Sequence, residues 1–162
     1  MYIWDLPTRI FHWLLVIFTF IALLSGKLGY MEIHQKAGLA VFSLIVFRIL
    51  WGFFGGYFSL FRNFIPQIVK IKIYFQDVAT NGLKYHLGHS PLGSIAVVVL
   101  LSVLLLQGFL GLFSSDDVFF DGPMAILFPK FTNTATYIHR ILSYLVFAVV
   151  IIHFLAIILY KI

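Results

Sequence analysis

Four long apolar stretches limit what this chain can fold into. They cover residues 10–26, 37–54, 92–113 and 141–160, and each is close to the length of about 20 residues that an α-helix needs to cross the bilayer core. Of the 162 residues, 62% are hydrophobic and only 10% are charged. A water-soluble domain needs more polar residues to cover its surface, whereas lipid accepts apolar side chains. The sequence therefore predicts an all-α fold, a four-helix transmembrane bundle forming a single domain over residues 1–162.

A fifth segment, residues 65–78, is apolar but is interrupted by Lys70, Lys72 and Asp77. Pro66 stands where a first-turn proline is tolerated in a helix. This composition predicts an amphipathic helix that lies on the cytoplasmic surface of the membrane, between the second and third spans.

Local signals mark both ends of the first span. Asp5 and Pro7 precede it, and an N-cap aspartate followed by a proline in the first turn is a common helix start. Gly26 and Gly29 follow the apolar stretch, where glycine commonly ends a helix. We therefore expect the first helix to lie between these two pairs of residues.

The distribution of basic residues predicts the orientation, because Lys and Arg accumulate on the cytoplasmic side of membrane proteins. One side of the bundle has seven basic and two acidic residues, namely Arg9, Arg48, Arg62, Lys70, Lys72, Lys84 and Lys161 against Asp5 and Asp77. The other side has four of each, namely Lys27, Lys36, Lys130 and Arg140 against Glu32, Asp116, Asp117 and Asp121. Both termini are therefore predicted to be cytoplasmic. The basic residues form no run or stripe, which argues against nucleic-acid binding.

Histidines are the candidate metal ligands, because the chain has no cysteine and ionisable side chains inside a membrane are functional candidates by default. His139 and His153 are fourteen residues apart in the fourth span, which is about 3.9 helical turns and about 21 Å. They should project from nearly the same helix face, one toward each membrane surface. At the outer level the only further histidine is His34, and at the inner level His12 lies at a matching depth on the first span. The pattern predicts two haems b, one held by His34 and His139 and the other by His12 and His153.

The competing interpretation treats each histidine as a hydrogen-bonded core residue or an interfacial residue. For any one of them this is the commoner case, but it does not explain two depth-matched pairs on shared faces. Zinc would require three or four ligands at one depth, and the sequence offers no such cluster. Two imidazoles fill both axial positions of a haem iron, so electron transfer rather than oxygen binding is the expected chemistry.

Further polar residues are candidates for supporting roles. Arg48 follows His34 by fourteen residues and could pair with a propionate of the inner haem, or extend to the lipid headgroups. His89, directly before the third span, could face a propionate, a quinone or a proton path, whereas His86 is favoured as an ordinary interfacial histidine. The acidic residues of the outer loop, in DDVFFD, are favoured as a solvated loop because their spacing matches no calcium-binding loop.

Several motifs together resemble a known family. WDLPTRIFHW at the first span, HQKAG and FRILWGF in the second, GHSPLG before the third, and the histidine pair of the fourth are similar to bacterial cytochromes b-561, which include the cytochrome b subunits of nickel-iron hydrogenases. The resemblance extends over essentially the whole chain. It implies a four-helix bundle with two haems b whose ligands are His12, His34, His139 and His153, and it places Arg48 and His89 near the inner haem or the quinone.

The resemblance also implies a function and a location. Such a protein carries electrons through a bacterial inner membrane, between membrane quinone and a periplasmic cytochrome or a dehydrogenase- or hydrogenase-type subunit. Two alternatives remain at this point: a quinone-dependent oxidoreductase that acts on a small acceptor such as superoxide, and a haem-bearing anchor subunit of a larger redox complex. A homodimer is compatible with each of them, and the sequence does not decide whether the protein is an enzyme.

Overall fold

The fold is built from α-helices, which the computed structural model describes for residues 4–65, 68–81, 91–116, 118 and 120–161. Within these ranges the helices are α1 (Leu6–Leu28), α2 (Met31–Phe54), α3 (Phe61–Phe64), α4 (Ile68–Asn81), α5 (Pro91–Leu112) and α6 (Pro129–Lys161). The four longest, α1, α2, α5 and α6, are long and apolar enough to cross a membrane. The same part of the chain has no β-strand beyond an isolated bridge between Ser115 and Asp121. The prediction of an all-α fold with four membrane-spanning helices is confirmed.

The four spanning helices form a bundle in which α1 packs against α2, α2 against α5, and α5 against α6. Gly29 and Tyr30 form the short link between α1 and α2, so these helices are antiparallel neighbours. All four spanning helices contribute to one core cluster, which consists of Phe11, Val41, Ile45, Leu101, Leu104 and Val146. Packing of this cluster brings side chains of all four spanning helices into contact.

Of the residues predicted to mark the two ends of α1, Asp5, Pro7 and Gly29 do so and Gly26 does not. The Asp5 carboxylate caps the helix, accepting a hydrogen bond of 3.0 Å from the backbone N–H of Thr8, and a proline occupies the first turn. Gly29 ends the helix with φ of 81°, a left-handed conformation that glycine adopts without a steric penalty. Gly26 does not end the helix: it lies inside α1, where it has a different role, described below.

Helix α6 begins at Pro129, twelve residues before the apolar stretch that predicts it. A search for apolar residues finds only the part of a helix that lies in hydrocarbon, and the first turns of α6 are polar. Their threonines bond within the segment: the Thr132 hydroxyl donates to the carbonyl of Phe128 at 3.2 Å, and the Thr136 hydroxyl donates to that of Thr132 at 2.9 Å. His139, expected at the outer start of this helix, is therefore ten residues inside it.

The segment between the second and third spans also contains helix, as predicted. Within the described residues, helix α4 runs from Ile68 to Asn81, and the side chain of Tyr74 is buried. Pro66, the predicted first-turn proline, lies outside the described residues. The location of α4 on the membrane surface remains a prediction. The short helix α3 has no counterpart in the sequence analysis, because four residues are too few to show a periodic pattern.

Large apolar side chains cover the outside of the bundle. Trp13 and Phe20 on α1 are 66% and 65% exposed, and Phe154 on α6 is 63% exposed. Such a surface suits lipid and not water. The chain is therefore a multi-pass membrane protein whose outer surface contacts a bilayer.

Candidate functional site

The outer pair of histidines meets across the bundle. His34 lies in the first turn of α2 and His139 in the outer half of α6, and their ring centroids are 6.0 Å apart with an angle of 80° between the ring planes. Imidazole nitrogens bind metal ions at about 2 Å, so one ion between two such rings sets their centroids about 6 Å apart. The observed separation of the two rings is thus the one that two imidazole ligands of one metal ion would have.

Main-chain carbonyls fix the orientation of both rings. The Nδ1 atom of His34 lies 2.8 Å from the carbonyl oxygen of Ala22 on α1, and the Nδ1 atom of His139 lies 2.9 Å from that of Gln107 on α5. A carbonyl can only accept, so each Nδ1 carries the proton and each Nε2 of the neutral ring has a lone pair. This arrangement is typical of metal-binding histidines, whose second nitrogen is held by a partner outside the metal's ligand shell.

Two glycines make room for these rings. A Cβ atom on Gly26 would lie 2.8 Å from Nδ1 of His34, and a Cβ atom on Gly111 would lie 3.2 Å from Cε1 of His139. Both distances are shorter than ordinary carbon contacts. A side chain at Gly26 would displace the His34 ring, and one at Gly111 would require the His139 ring to move by a few tenths of an ångström.

Gln107 is a residue of this site that the sequence analysis missed. Its side-chain Nε2 lies 3.3 Å from Nε2 of His139, and its Oε1 is buried without a hydrogen-bond partner. A glutamine in an apolar span is a visible polar signal, but histidine spacing alone does not select it. Its side chain lies at the edge of His139 that would coordinate a metal.

The inner pair consists of His12 on α1 and His153 on α6. The two side chains are close enough to interact electrostatically, and their pairing at one level of the bundle stays a prediction. The ring of His12 also contacts that of Trp13 edge to face, with centroids 5.8 Å apart. His12 is exposed and His153 is half-buried, whereas His34 and His139 are both half-buried. The side chains of the inner pair are therefore more exposed than those of the outer pair.

Arg48 lies inside the protein near the inner end of α2. Its side chain is 3% exposed, and the guanidinium carbon lies 5.2 Å from the centre of the Phe61 ring. Phe61 belongs to α3 and approaches α2 so closely at Gly52 that a Cβ atom there would overlap it. This interior location favours an internal partner for Arg48 over the lipid headgroups, and its pairing with a haem propionate stays a prediction.

Asp5 joins the start of α1 to the end of α2. Its Oδ2 atom accepts hydrogen bonds from Nε1 of Trp51 at 3.0 Å, the backbone N–H of Gly56 at 3.1 Å and the hydroxyl of Ser59 at 3.1 Å. The hydroxyls of Ser59 and Thr8 are also 2.7 Å apart. The sequence analysis identified Asp5 only as a helix cap, because its other partners are about fifty residues away along the chain.

These hydrogen bonds outweigh the cost of burying the carboxylate. Burial alone would raise the pKa of Asp5, but the hydrogen bonds from Thr8, Trp51 and Ser59 hold its pKa below the ordinary value. The carboxylate is therefore ionised at neutral pH, and it interacts electrostatically with Arg48. An acidic and a basic side chain are thus within electrostatic range of each other at the inner end of the bundle.

Two predicted features fall wholly or partly outside the described residues. His89 and His86 both lie there, so their predicted roles stay predictions. In the outer loop, the Asp116 carboxylate accepts hydrogen bonds from the backbone N–H groups of Val118 at 3.1 Å and Phe120 at 2.7 Å. Gln35 of α2 donates to the carbonyl of Asp121 at 3.0 Å. The loop is thus held close to the outer histidine level.

The number and type of possible ligands distinguish a zinc site from a haem iron site. Among the residues that the structure describes, no three His, Cys, Asp or Glu side chains come together. Zinc sites normally use three or four protein ligands. Two imidazoles facing each other instead suit an iron whose other four positions are filled by a macrocycle.

The chain was compared with protein families, curated proteins and solved structures. A family model described as prokaryotic cytochrome b561 matches residues 3–162. The chain belongs to the prokaryotic cytochrome b561 family. Neither the curated proteins nor the solved structures gave a significant match. The family that the sequence motifs resemble is thereby confirmed.

Membership of the cytochrome b561 family indicates which cofactor the bundle binds. Together with the four spanning helices, it identifies a membrane cytochrome b that binds haem b and takes part in electron transport. The residues present fit such a cofactor, because the outer histidines face each other with their Nδ1 atoms held by carbonyls and with glycines beside both rings.

Proposed function

We propose that this cytochrome b561-family protein carries electrons across the bacterial inner membrane through two bis-histidine haems b. The observation that supports this most directly is the 6.0 Å separation of the His34 and His139 rings. A bound haem would supply one-electron redox chemistry, and a pair of histidines holding its iron would favour electron transfer over oxygen binding. The work of the protein is to hold the ligands and to set the environment of each metal.

At the outer level, His34 and His139 are the proposed axial ligands. The carbonyls of Ala22 and Gln107 hold the rings in the tautomer that presents Nε2. At the inner level, His12 and His153 are the proposed ligands, because their side chains are close enough to interact electrostatically. Because His139 and His153 share one helix, α6 sets the vertical distance between the two haems.

Arg48 is proposed to bind a propionate of the inner haem. It is buried at the inner end of α2, and guanidinium pairs with carboxylate through two parallel hydrogen bonds. His89 is proposed to lie near the same haem or near a quinone, as the family motif around it implies.

The redox partners follow from the family and from the predicted orientation. We propose membrane quinone as one partner and a periplasmic cytochrome or a dehydrogenase- or hydrogenase-type subunit as the other. The whole chain, residues 1–162, would then serve as one transmembrane unit of electron transfer.

Replacement of single histidines tests the ligand assignment. His139→Ala and His12→Ala should each lower the haem-to-protein ratio from about two to about one, because each removes a ligand of a different iron. The ratio is measured from reduced-minus-oxidised spectra of purified protein, with His86→Ala as a matched substitution that should keep both haems. A colourless wild-type protein, or loss of both haems from either single substitution, would contradict the proposal.

Reduction by quinol separates the proposed function from its alternatives. The purified protein should be reduced by quinol without any partner and should then reduce a periplasmic redox protein. Failure of quinol to reduce the haems would favour an anchor subunit. Rapid reoxidation by superoxide, with none by candidate partner proteins, would favour the oxidoreductase.

A further inference from the structure

The inner end of the bundle contains a network that the histidine ligands do not account for. Asp5, at the start of α1, accepts hydrogen bonds from Trp51 at the end of α2 and from Gly56 and Ser59 in the segment after it. A Cβ atom on Gly56 would lie 2.5 Å from Oδ2 of Asp5, so the backbone approaches the carboxylate as closely as a glycine allows. The start of α1 is thus attached to α2 at one point.

This point of attachment lies near the proposed inner haem site. Asp5 precedes His12 by seven residues on one continuous helix, which is about two turns and about 10 Å along the axis. Arg48, on α2, interacts electrostatically with Asp5. Asp5 therefore connects the helix of the ligand His12 with the helix of Arg48.

A carboxylate at this location would also change the reduction potential of a nearby haem. Haem iron has one more positive charge when it is oxidised, so a nearby negative charge favours the oxidised form and a nearby positive charge favours the reduced form. Inside a membrane protein such interactions are screened less than in water. The opposite charges of Asp5 and Arg48 should therefore act in opposite directions on an inner haem.

We propose that Asp5 is a positioning residue of the inner haem site, which fixes the start of α1 against α2 and lowers the reduction potential of the inner haem with its negative charge. The inference rests on the proposed function, because it requires a haem held by His12 and His153. It adds a role for the aspartate of the WDLPTRIFHW motif beyond capping α1.

Redox titration of the full-length holoprotein tests this inference. The inner component is the one that disappears in His12→Ala. Asp5→Asn and Asp5→Ser both remove the charge and keep an N-capping side chain, so they should raise the midpoint potential of that component and leave the outer one unchanged. Glu32→Gln removes a carboxylate at the opposite end of the bundle and is the matched control, with no expected shift of the inner component.

Each outcome has a defined meaning. An upward shift of the inner potential in both Asp5 variants, or loss of the inner haem alone, supports the inference. Two retained haems with an unchanged inner potential, or equal loss of both haems, overturns it and leaves Asp5 a purely structural role. A wild-type protein without an inner haem overturns the proposed function itself, and the inference with it.

Discussion

A histidine in a membrane helix serves as a metal ligand only when neighbouring atoms turn its ring toward the metal. In this protein the neighbours of the outer pair are main-chain carbonyls of other helices, at Ala22 and Gln107, and two glycines that leave space for the rings. The ligand assignment therefore depends on residues that have no metal-binding chemistry of their own. Substitution of such a residue tests the assignment without changing any ligand.

Gly26→Ala should impair the outer haem site. Helix propensity alone would make this change stabilising by about 1 kcal/mol, but the new methyl group would overlap the His34 ring, and overpacking of this kind costs about 1–3 kcal/mol. We expect reduced occupancy of the outer haem and normal occupancy of the inner haem, measured from the spectra and the haem-to-protein ratio.

Leu24→Ala is the control for this change, because Leu24 is on the same helix with 48% of its surface exposed. It should keep both haems. Full outer occupancy in Gly26→Ala would mean that the approach of α1 to His34 does not matter for ligation.

The level of single residues is also where the sequence analysis was least complete. The spacing of His139 and His153 along one helix could be read directly, since helical geometry is regular. The contacts of Gly26 and Gln107 could not, because they depend on which helices are neighbours and how far each is rotated. Gly26 was therefore assigned to the end of α1, the commonest role for a glycine that follows an apolar stretch.

At the level of helices, length and polarity explain what could be predicted. The four spans and the helix between the second and third were recognisable, because a bilayer requires long apolar segments and Lys70, Lys72 and Asp77 interrupt the fifth segment. The start of α6 was placed too late, since its first turns are polar and a search for apolar residues does not detect them. The bonds between Asp5 and α2 were invisible for a different reason: nothing in the sequence indicates a contact between residues so far apart.

The N-cap of α1 should make stability depend on pH. The folded-state pKa of Asp5 lies below its ordinary value, which is about 3.9 in an unfolded chain. A carboxyl group with a lowered folded pKa stabilises the fold above the unfolded value, and this contribution is lost as the pH falls through the folded value. Wild-type protein should therefore be more stable than Asp5→Asn at pH 7, and the difference should shrink below about pH 4.

Thermal unfolding in detergent, followed by circular dichroism at several pH values, measures this difference. Glu32→Gln serves as the reference, because Glu32 is an exposed carboxylate paired with Lys36 on the surface of α2. A difference between wild type and Asp5→Asn that stays constant from pH 7 to about pH 3 would argue against a lowered pKa for Asp5.

For the whole molecule, the arrangement of charges predicts the orientation in the membrane. The sequence predicts seven basic and two acidic residues at one end of the bundle, and four of each at the other. Basic residues favour the cytoplasmic side, so both termini and α4 should face the cytoplasm. The network around Asp5 and Arg48 would then lie on the cytoplasmic side, and the loop that contains Asp116 on the periplasmic side.

Reporter fusions test this orientation. A fluorescent protein fused after Ile162 should fluoresce, and alkaline phosphatase at the same position should be inactive, because the phosphatase folds only outside the cytoplasm. Phosphatase inserted after Gly122, in the outer loop, should be active and is the control. The reverse pattern would place the His34 and His139 level at the cytoplasmic surface.

The order of helix packing has a consequence for how the protein matures in the cell. Contacts run from α1 to α2, then to α5, then to α6, so the first and last spans are joined mainly through the two between them. One haem iron coordinated by histidines of α6 and α1, and another coordinated by histidines of α6 and α2, would each cross-link two helices. These cross-links would close the open series of helices into a ring. In a cell short of haem, the last span would therefore be held mainly by α5, and membrane proteases should degrade such chains faster than the haem-bound protein.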